Sequence, residues 1–188
     1  MRVAILGAGG VALATAAMLD QTGHEVTVWS PSGFSIGELA TADLVTNGAI
    51  EHRLRVAFAP TAADTLKGAD VVIVALPANG HRVVFDAALP HIEPGQTIIV
   101  SAQLSMGALY LTQSLARRGV DATVVAFATT VLMGRRTGPT TVAIGGIRNL
   151  LEIAVLPHAR AARGMEICAA LFGDRFRLAA NLTAIALS

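Results

Sequence analysis

Charge is scarce in this sequence. Charged residues occupy 14% of the 188 positions, against about 25% in ordinary soluble domains. A surface so poor in charge is either unusually small or partly covered by something else. Hydrophobic residues reach 53% and mean hydropathy is +0.60, which excludes intrinsic disorder, since disordered chains combine low hydrophobicity with high net charge. Neither sign dominates: 14 basic and 13 acidic residues leave a net charge of +1, so no nucleic-acid or membrane-surface footprint is expected. Lysine is almost missing, with Lys67 alone beside thirteen arginines, a bias that carries no functional reading. Cysteine is limited to Cys168, which excludes an internal disulfide framework and a cysteine metal cluster; no metal site is expected. Set among Ile167, Ala169, Ala170 and Leu171, that thiol reads as core and not as a nucleophile. A reducing cytoplasm is the expected compartment. Repeats, linkers and low-complexity segments are lacking too. The length exceeds one average domain and falls short of two at roughly 150 residues each, so a single domain over residues 1–188 is expected.

Two apolar stretches raise the question of a membrane. Residues 3–19 are uncharged, follow Arg2 and contain Ala14-Thr15-Ala16, which resembles a signal-peptidase site. Gly7, Gly9 and Gly10 in their midst are poor residues for a secretory helix. Residues 94–116 are long enough to span a bilayer at roughly 20 residues. Gln96, Ser101, Gln103, Ser105, Gln113 and Ser114 interrupt them, so a strand followed by a helix is expected there, and no membrane span.

Short β-branched runs alternate with helical patterns along the chain. Strands are expected at 3–6, 24–29, 54–59, 70–76, 97–100, 122–128, 140–144 and 152–156. Helices are expected at about 10–22, 62–67, 80–88, 106–118 and 159–172, with Gly23 closing the first as a C-cap does. Residues 31–52 read as loop with one short helix. Strands apolar on both faces and separated by helices mean a sheet covered on both sides. Right-handed crossovers then leave a Rossmann-type, doubly wound, mainly parallel α/β sheet as the economical topology.

Gly7-Ala8-Gly9-Gly10-Val11-Ala12 matches G-x-G-x-x-A between the first strand and the first helix. The first glycine allows the tight turn, the second lets a pyrophosphate approach the backbone, and Ala12 keeps helix and strand close. Amides at the helix start, aided by its dipole, then face the phosphates. The fingerprint expects an acidic residue after the second strand, to hold the ribose hydroxyls. Here Ser30, Pro31 and Ser32 follow. Without a carboxylate a 2′-phosphate is not repelled, so the cofactor is NADP or NAD, with the balance toward NADP. No arginine follows directly; Arg53 and Arg55 are the nearest in sequence. Trp29 fits either an adenine pocket or the core. Leu76, Pro77 and Ala78 end the fourth main strand, Pro77 stiffening the turn while Ala75 and Ala78 leave room for a cofactor. Ser101 and Gln103 suit either hydrogen bonds to ribose or nicotinamide amide, or capping of the next helix. Arg135 and Arg136, expected in a turn after residues 122–128, fit a substrate carboxylate or a solvated loop pair. Thr129 and Thr130 either contact the nicotinamide side or end that strand.

Several segments together resemble the N-terminal domain of the opine dehydrogenase family, the octopine and nopaline dehydrogenases. They are VAILGAGGVALA (3–14), GADVVIVALPANGHR (68–82), VSAQLSMGALYL (100–111), TTVLMGRRTGPTTVAIGG (129–146), ALFGDRF (170–176) and NLTAIALS (181–188). The resemblance implies a two-domain enzyme that condenses an α-keto acid with an amino acid's amine and reduces the imine with NAD(P)H. It places the catalytic His and its Asp partner in a helical C-terminal domain, expected beyond Ser188. None of His24, His52, His81, His91 and His158 falls in a matching motif, so no catalytic residue is assigned here and the chain alone is expected to be inactive. The alternatives are a glycerol-3-phosphate or ketopantoate-type dehydrogenase, or a non-catalytic NAD(P)-sensing module. The missing domain, or a second copy of the chain, would cover the remaining apolar surface.

Overall fold

β-branched runs with no polar face make strands that must be covered twice, and four of them form the centre of the molecule. The computed structural model describes residues 1–102 and 106–186. β1 (Arg2–Leu6), β6 (Val71–Val74), β7 (Thr97–Val100) and β8 (Thr123–Phe127) lie side by side and parallel, buried along nearly their whole length. Among the described residues the main sheet has eight strands, ordered β12-β11-β8-β7-β6-β1-β2-β5. Here β2 is Glu25–Trp29, β5 Ala57–Phe58, β11 Leu151–Leu156 and β12 Phe176–Leu178. The six strands from β8 to β5, all parallel, follow the Rossmann order, and β1 stands at the switch point between β2 and β6.

The side chains alternate between two cores. Val3, Ile5, Ile73, Ile99 and Val125 point to one face, under α1 (Gly10–Gln21) and α5 (Ala161–Phe172). Ala4, Leu6, Val72, Val74 and Val100 point to the other, under α2 (Ala62–Leu66), α3 (Ala78–Ala88), α4 (Gly107–Arg117) and α6 (Leu182–Ala186). Each large aliphatic side chain buried this way stabilises by about 1.5–3 kcal/mol. Part of the hydrophobic surplus is therefore a sheet buried on both sides. Helix α1 ends as expected, with Gly23 at φ +82° and its N–H on the Asp20 carbonyl at 2.9 Å. Residues 94–116 resolve into β7 and α4, and among the described residues no helix is long and apolar enough to cross a membrane.

The sequence reading departs from the structure in one connected region. Residues 31–52 hold more than a loop and the short helix Gly37–Ala40: they include β3 (Leu44–Gly48), and β4 (His52–Leu54) follows. With β9 (Leu132–Arg136) and β10 (Thr141–Ile147) these build a second sheet, ordered β4-β3-β10-β9. The strand expected at 54–59 divides accordingly: Leu54 belongs to this small sheet, and only Ala57 and Phe58 reach the edge of the main one. Arg135 and Arg136 lie in strand β9, paired with Ala143 and Val142, and not in a turn. These strands face solvent on one side, so their apolar runs are weaker than those of the main sheet. β12, three residues long, carries no assignment from the sequence, while the apolar stretch 182–187 reads as a helix and Leu182–Ala186 forms one, α6. β11 runs antiparallel to β8, in keeping with a sheet that is mainly and not wholly parallel.

The small sheet rides directly on α1. A Cβ on Gly134 would lie 2.4 Å from the Gly10 carbonyl oxygen and 2.6 Å from the Ala14 Cβ. A Cβ on Gly10 would lie 2.6 Å from the Gly134 oxygen. Backbone therefore meets backbone at the first turn of the helix. Leu132, Val142 and Ile144, all fully buried, join the core beneath it.

Candidate functional site

The turn from β1 into α1 is shaped by its glycines. Gly7 takes φ +123°, and a Cβ there would lie 2.5 Å from the Ala75 carbonyl oxygen. Its N–H donates to the Trp29 carbonyl at 2.7 Å, tying the turn to the end of β2. Gly9 is the N-cap of α1, has no side chain to cap the helix, and a Cβ there would meet nothing within 4 Å. Leu13 N–H is bonded to the Gly9 carbonyl, so the amides of Gly10, Val11 and Ala12 precede the first helical hydrogen bond and remain as donors. No acidic residue stands in the first turn. Ala8 and Ala12 are buried in the core and keep the helix close to the sheet.

These donors open onto a cleft of about 310 Å³ at the carboxyl edge of the sheet. Gly9, Gly10, Val11, Leu76, Pro77 and Ser101 line it, so six of the sequence-derived candidates converge; Ala75, Ala102, Thr130 and Gly134 complete it. Gln103 lies outside the described residues. Ser101 is buried, at 7% exposure, and its N–H is bonded to the Val74 carbonyl. Thr130 was weighed from the sequence and does reach the cleft, but its hydroxyl donates to the Leu132 carbonyl at 2.9 Å.

Ser30 and Ser32 line a second, wider cleft of about 770 Å³ beyond β2, with Trp29, Ile36, Thr61 and His91 among its walls. Trp29 lines this cleft and also packs with Ala4 and Leu6 in the core. No Asp, Glu, Lys or Arg lines this cleft. Arg53 and Arg55 are elsewhere, in ion pairs with Asp43 at 3.7 and 3.1 Å. The arginine that approaches the loop after β2 is Arg136, whose guanidinium donates to the carbonyls of Ser35 and Pro139. Arg135 is exposed on the strand position after Gly134, the residue that faces α1, so it stands on the outer side of the small sheet. Sequence reasoning could not find the Arg136 contact, because 101 residues separate it from Ser35.

His81 lies behind the first cleft. It is 5% exposed, and its Nε2 is 3.2 Å from the Leu76 carbonyl oxygen, an acceptor, so Nε2 carries the proton and donates. Nδ1 is buried without a partner among the described residues, close to Gly107 at the start of α4. Burial lowers the imidazole pKa below its ordinary 6.5, and the Leu76 bond only partly opposes this. The folded chain therefore binds fewer protons than the unfolded chain below pH 6.5, and stability is lost as pH falls through that window. The urea midpoint should drop between about pH 7.5 and about pH 5.5. His81→Gln keeps a donor for Leu76 and should flatten that dependence. Part of the slope will persist, because burial and the N-terminal ammonium also lower His24. Equal slopes in the two proteins would count against the assignment. Cys168, fully buried, has its thiol pushed up to about 12 by burial, in keeping with a core role.

A Rossmann-ordered sheet, a capless glycine turn and a cleft at the switch point define an NAD(P)-binding domain. The chain belongs to the ketopantoate reductase PanE/ApbA family, whose profile matches residues 3–157. An opine dehydrogenase from Arthrobacter sp. (strain 1C) is 27% identical over 177 residues, spanning 87% of this chain and 46% of that protein. A glycerol-3-phosphate dehydrogenase [NAD(P)+] from Bacillus velezensis is 34% identical over 103 residues, or 53% of this chain and 29% of that protein. The fold is that of octopine dehydrogenase, solved with NADH and pyruvate: TM-score 0.83 at 19% identity, over 100% of this chain and 52% of that one. Yersinopine dehydrogenase with NADP+ bound superposes with TM-score 0.75 at 18% identity, over 98% of this chain and 48% of that one. The chain thus spans about half the length, or less, of each of these proteins.

Proposed function

We propose that this chain is the coenzyme-binding half of an opine dehydrogenase-like oxidoreductase, which condenses an α-keto acid with the amine of an amino acid and reduces the product. In that reaction the amine displaces the keto oxygen as water, and NAD(P)H supplies the hydride that reduces the imine carbon. The observation that carries the reading is the open flank of Gly9, beside the free amides of Gly10, Val11 and Ala12. Those donors suit the pyrophosphate, and Ser30 and Ser32 the adenosine ribose. Leu76, Pro77, Ser101 and Gln103 would flank the nicotinamide end. The opine reading, as opposed to a ketopantoate or glycerol-3-phosphate type, is supported by the extent of the Arthrobacter match, which spans 87% of this chain. The catalytic histidine and its acidic partner, and most contacts to keto acid and amino acid, would belong to a C-terminal domain; a second copy of the chain is the other candidate to cover its apolar surface.

Titration of NADPH and NADH, followed by nucleotide fluorescence, tests the reading. Binding of at least one is expected, with no turnover by this chain. The wide cleft has no carboxylate to repel a 2′-phosphate and no Lys or Arg to attract one, so NADPH should bind at least as tightly as NADH. Absence of binding by both would sink the proposal, and a preference for NADH would reverse the cofactor assignment.

A further inference from the structure

Three arginines lie between the end of β8 and the start of β11, and only two of them are candidates from the sequence. Arg136 directs its guanidinium to the Ser35 and Pro139 carbonyls, and Arg135 stands on the outer side of the small sheet. The third is Arg148, in the turn between β10 and β11. Because β11 is antiparallel to β8, this turn returns to the carboxyl edge, where the first cleft opens. Arg148 Nε donates to the Thr130 carbonyl at 3.1 Å, and Thr130 lines that cleft beside Pro77 and Ser101.

The geometry points to Arg148 as the residue of this chain that receives a substrate carboxylate, the group shared by 2-oxo acids and amino acids. The inference rests on the dehydrogenase reading above and adds a named contact to it. Its backbone is fixed on both sides: the Arg148 N–H donates to the Val131 carbonyl at 2.9 Å, and the Arg148 carbonyl accepts from Arg175 Nη1 at 3.0 Å. Anchored through Nε, the guanidinium keeps its Nη1–Nη2 edge, and among the described residues neither of these nitrogens has a partner. That edge carries two parallel N–H donors at the spacing of the two carboxylate oxygens. The local charge is also uncompensated. Arg175 directs Nε to the Phe172 carbonyl, and the acidic side chain on the adjoining strand, Glu152, pairs with Arg177 at 2.8 Å. A fixed guanidinium bonded to a residue that lines the cleft, with no counter-ion among the described residues, is arranged for an anion that arrives with the substrate.

The test uses the chain saturated with whichever of NADPH and NADH it binds more tightly. Pyruvate and its uncharged amide, pyruvamide, are titrated in by calorimetry. Pyruvate should bind the parent chain more tightly than pyruvamide, and Arg148→Gln should weaken pyruvate by at least about tenfold while leaving pyruvamide and the dinucleotide within about twofold. Arg148→Lys, which keeps the charge and loses the Nε anchor and the fork, should fall between. Equal pyruvate affinity in the parent and Arg148→Gln, or no pyruvate binding by the parent, would overturn the inference and leave the dinucleotide reading standing. Loss of dinucleotide affinity in Arg148→Gln would make the residue a brace for the Thr130 segment and also overturn it. Failure of the parent to bind either dinucleotide would overturn both.

Discussion

Gly9→Asp should fold as well as the parent chain and lose dinucleotide binding. Gly9 has φ −81° and ψ −179°, extended backbone open to any residue, and a Cβ there meets no atom within 4 Å. Aspartate is among the best N-cap residues and exceeds glycine by a few tenths of a kcal/mol, while its charge opposes the positive end of α1. Thermal stability should therefore be unchanged or slightly higher. The same carboxylate would stand where the pyrophosphate approaches, occupying its space and repelling it. We expect affinity for NADPH and NADH to fall by at least about 100-fold, or 2.7 kcal/mol, measured by fluorescence titration beside a melting curve. A drop in stability comparable to the drop in affinity would show that Gly9 serves packing instead.

Gly134→Val is the opposite case. Gly134 has no unusual φ, so the objection to a side chain is purely steric: its Cβ would lie 2.4 Å from the Gly10 oxygen and 2.6 Å from the Ala14 Cβ. Neither neighbour is the mobile end of a long side chain, so β9 would have to lift from α1 and draw Leu132, Val142 and Ile144 with it. Overpacking of this kind costs on the order of 3 kcal/mol. For a chain of this size that lowers the melting temperature by about 10 °C, at about 2–4 °C per kcal/mol. Scanning calorimetry checks it; a shift under about 2 °C would mean that the two segments part freely. Because Gly10 also lines the first cleft, dinucleotide affinity should fall along with stability. That distinguishes this variant from Gly9→Asp.

The main sheet was legible because its strands have no polar side. Asp70 to Leu76 and Thr97 to Val100 read as buried strands at sight, and the order of the parallel strands follows from crossovers whose handedness is fixed. The glycine turn was legible for the same local reason: seven residues from the start, the chain passes from strand to helix through glycines that a packed turn requires. The small sheet was not. β3 and β4 lie about 90 residues before β9 and β10 along the chain, and the signal that joins them is a pairing between distant segments, Thr141 with Val45 and Val142 with Thr46. Gly134 carries no local signal, since its reason is Gly10. Arg148 had no mark at all; only the antiparallel return of β11 brings it to the cleft.

Gly10, Ala14 and Gly134 meet with almost no side-chain volume among the three. Most tight contacts in a protein can drift over time, because an enlargement at one position is balanced by a reduction at its neighbour. Here there is nothing to reduce: two partners have no side chain, and the third has a single methyl group. Compensating pairs of substitutions are therefore closed to this contact. A directed-evolution library spanning the three positions should return the parental combination, or small variants at Ala14 alone, long before it returns a rearranged one.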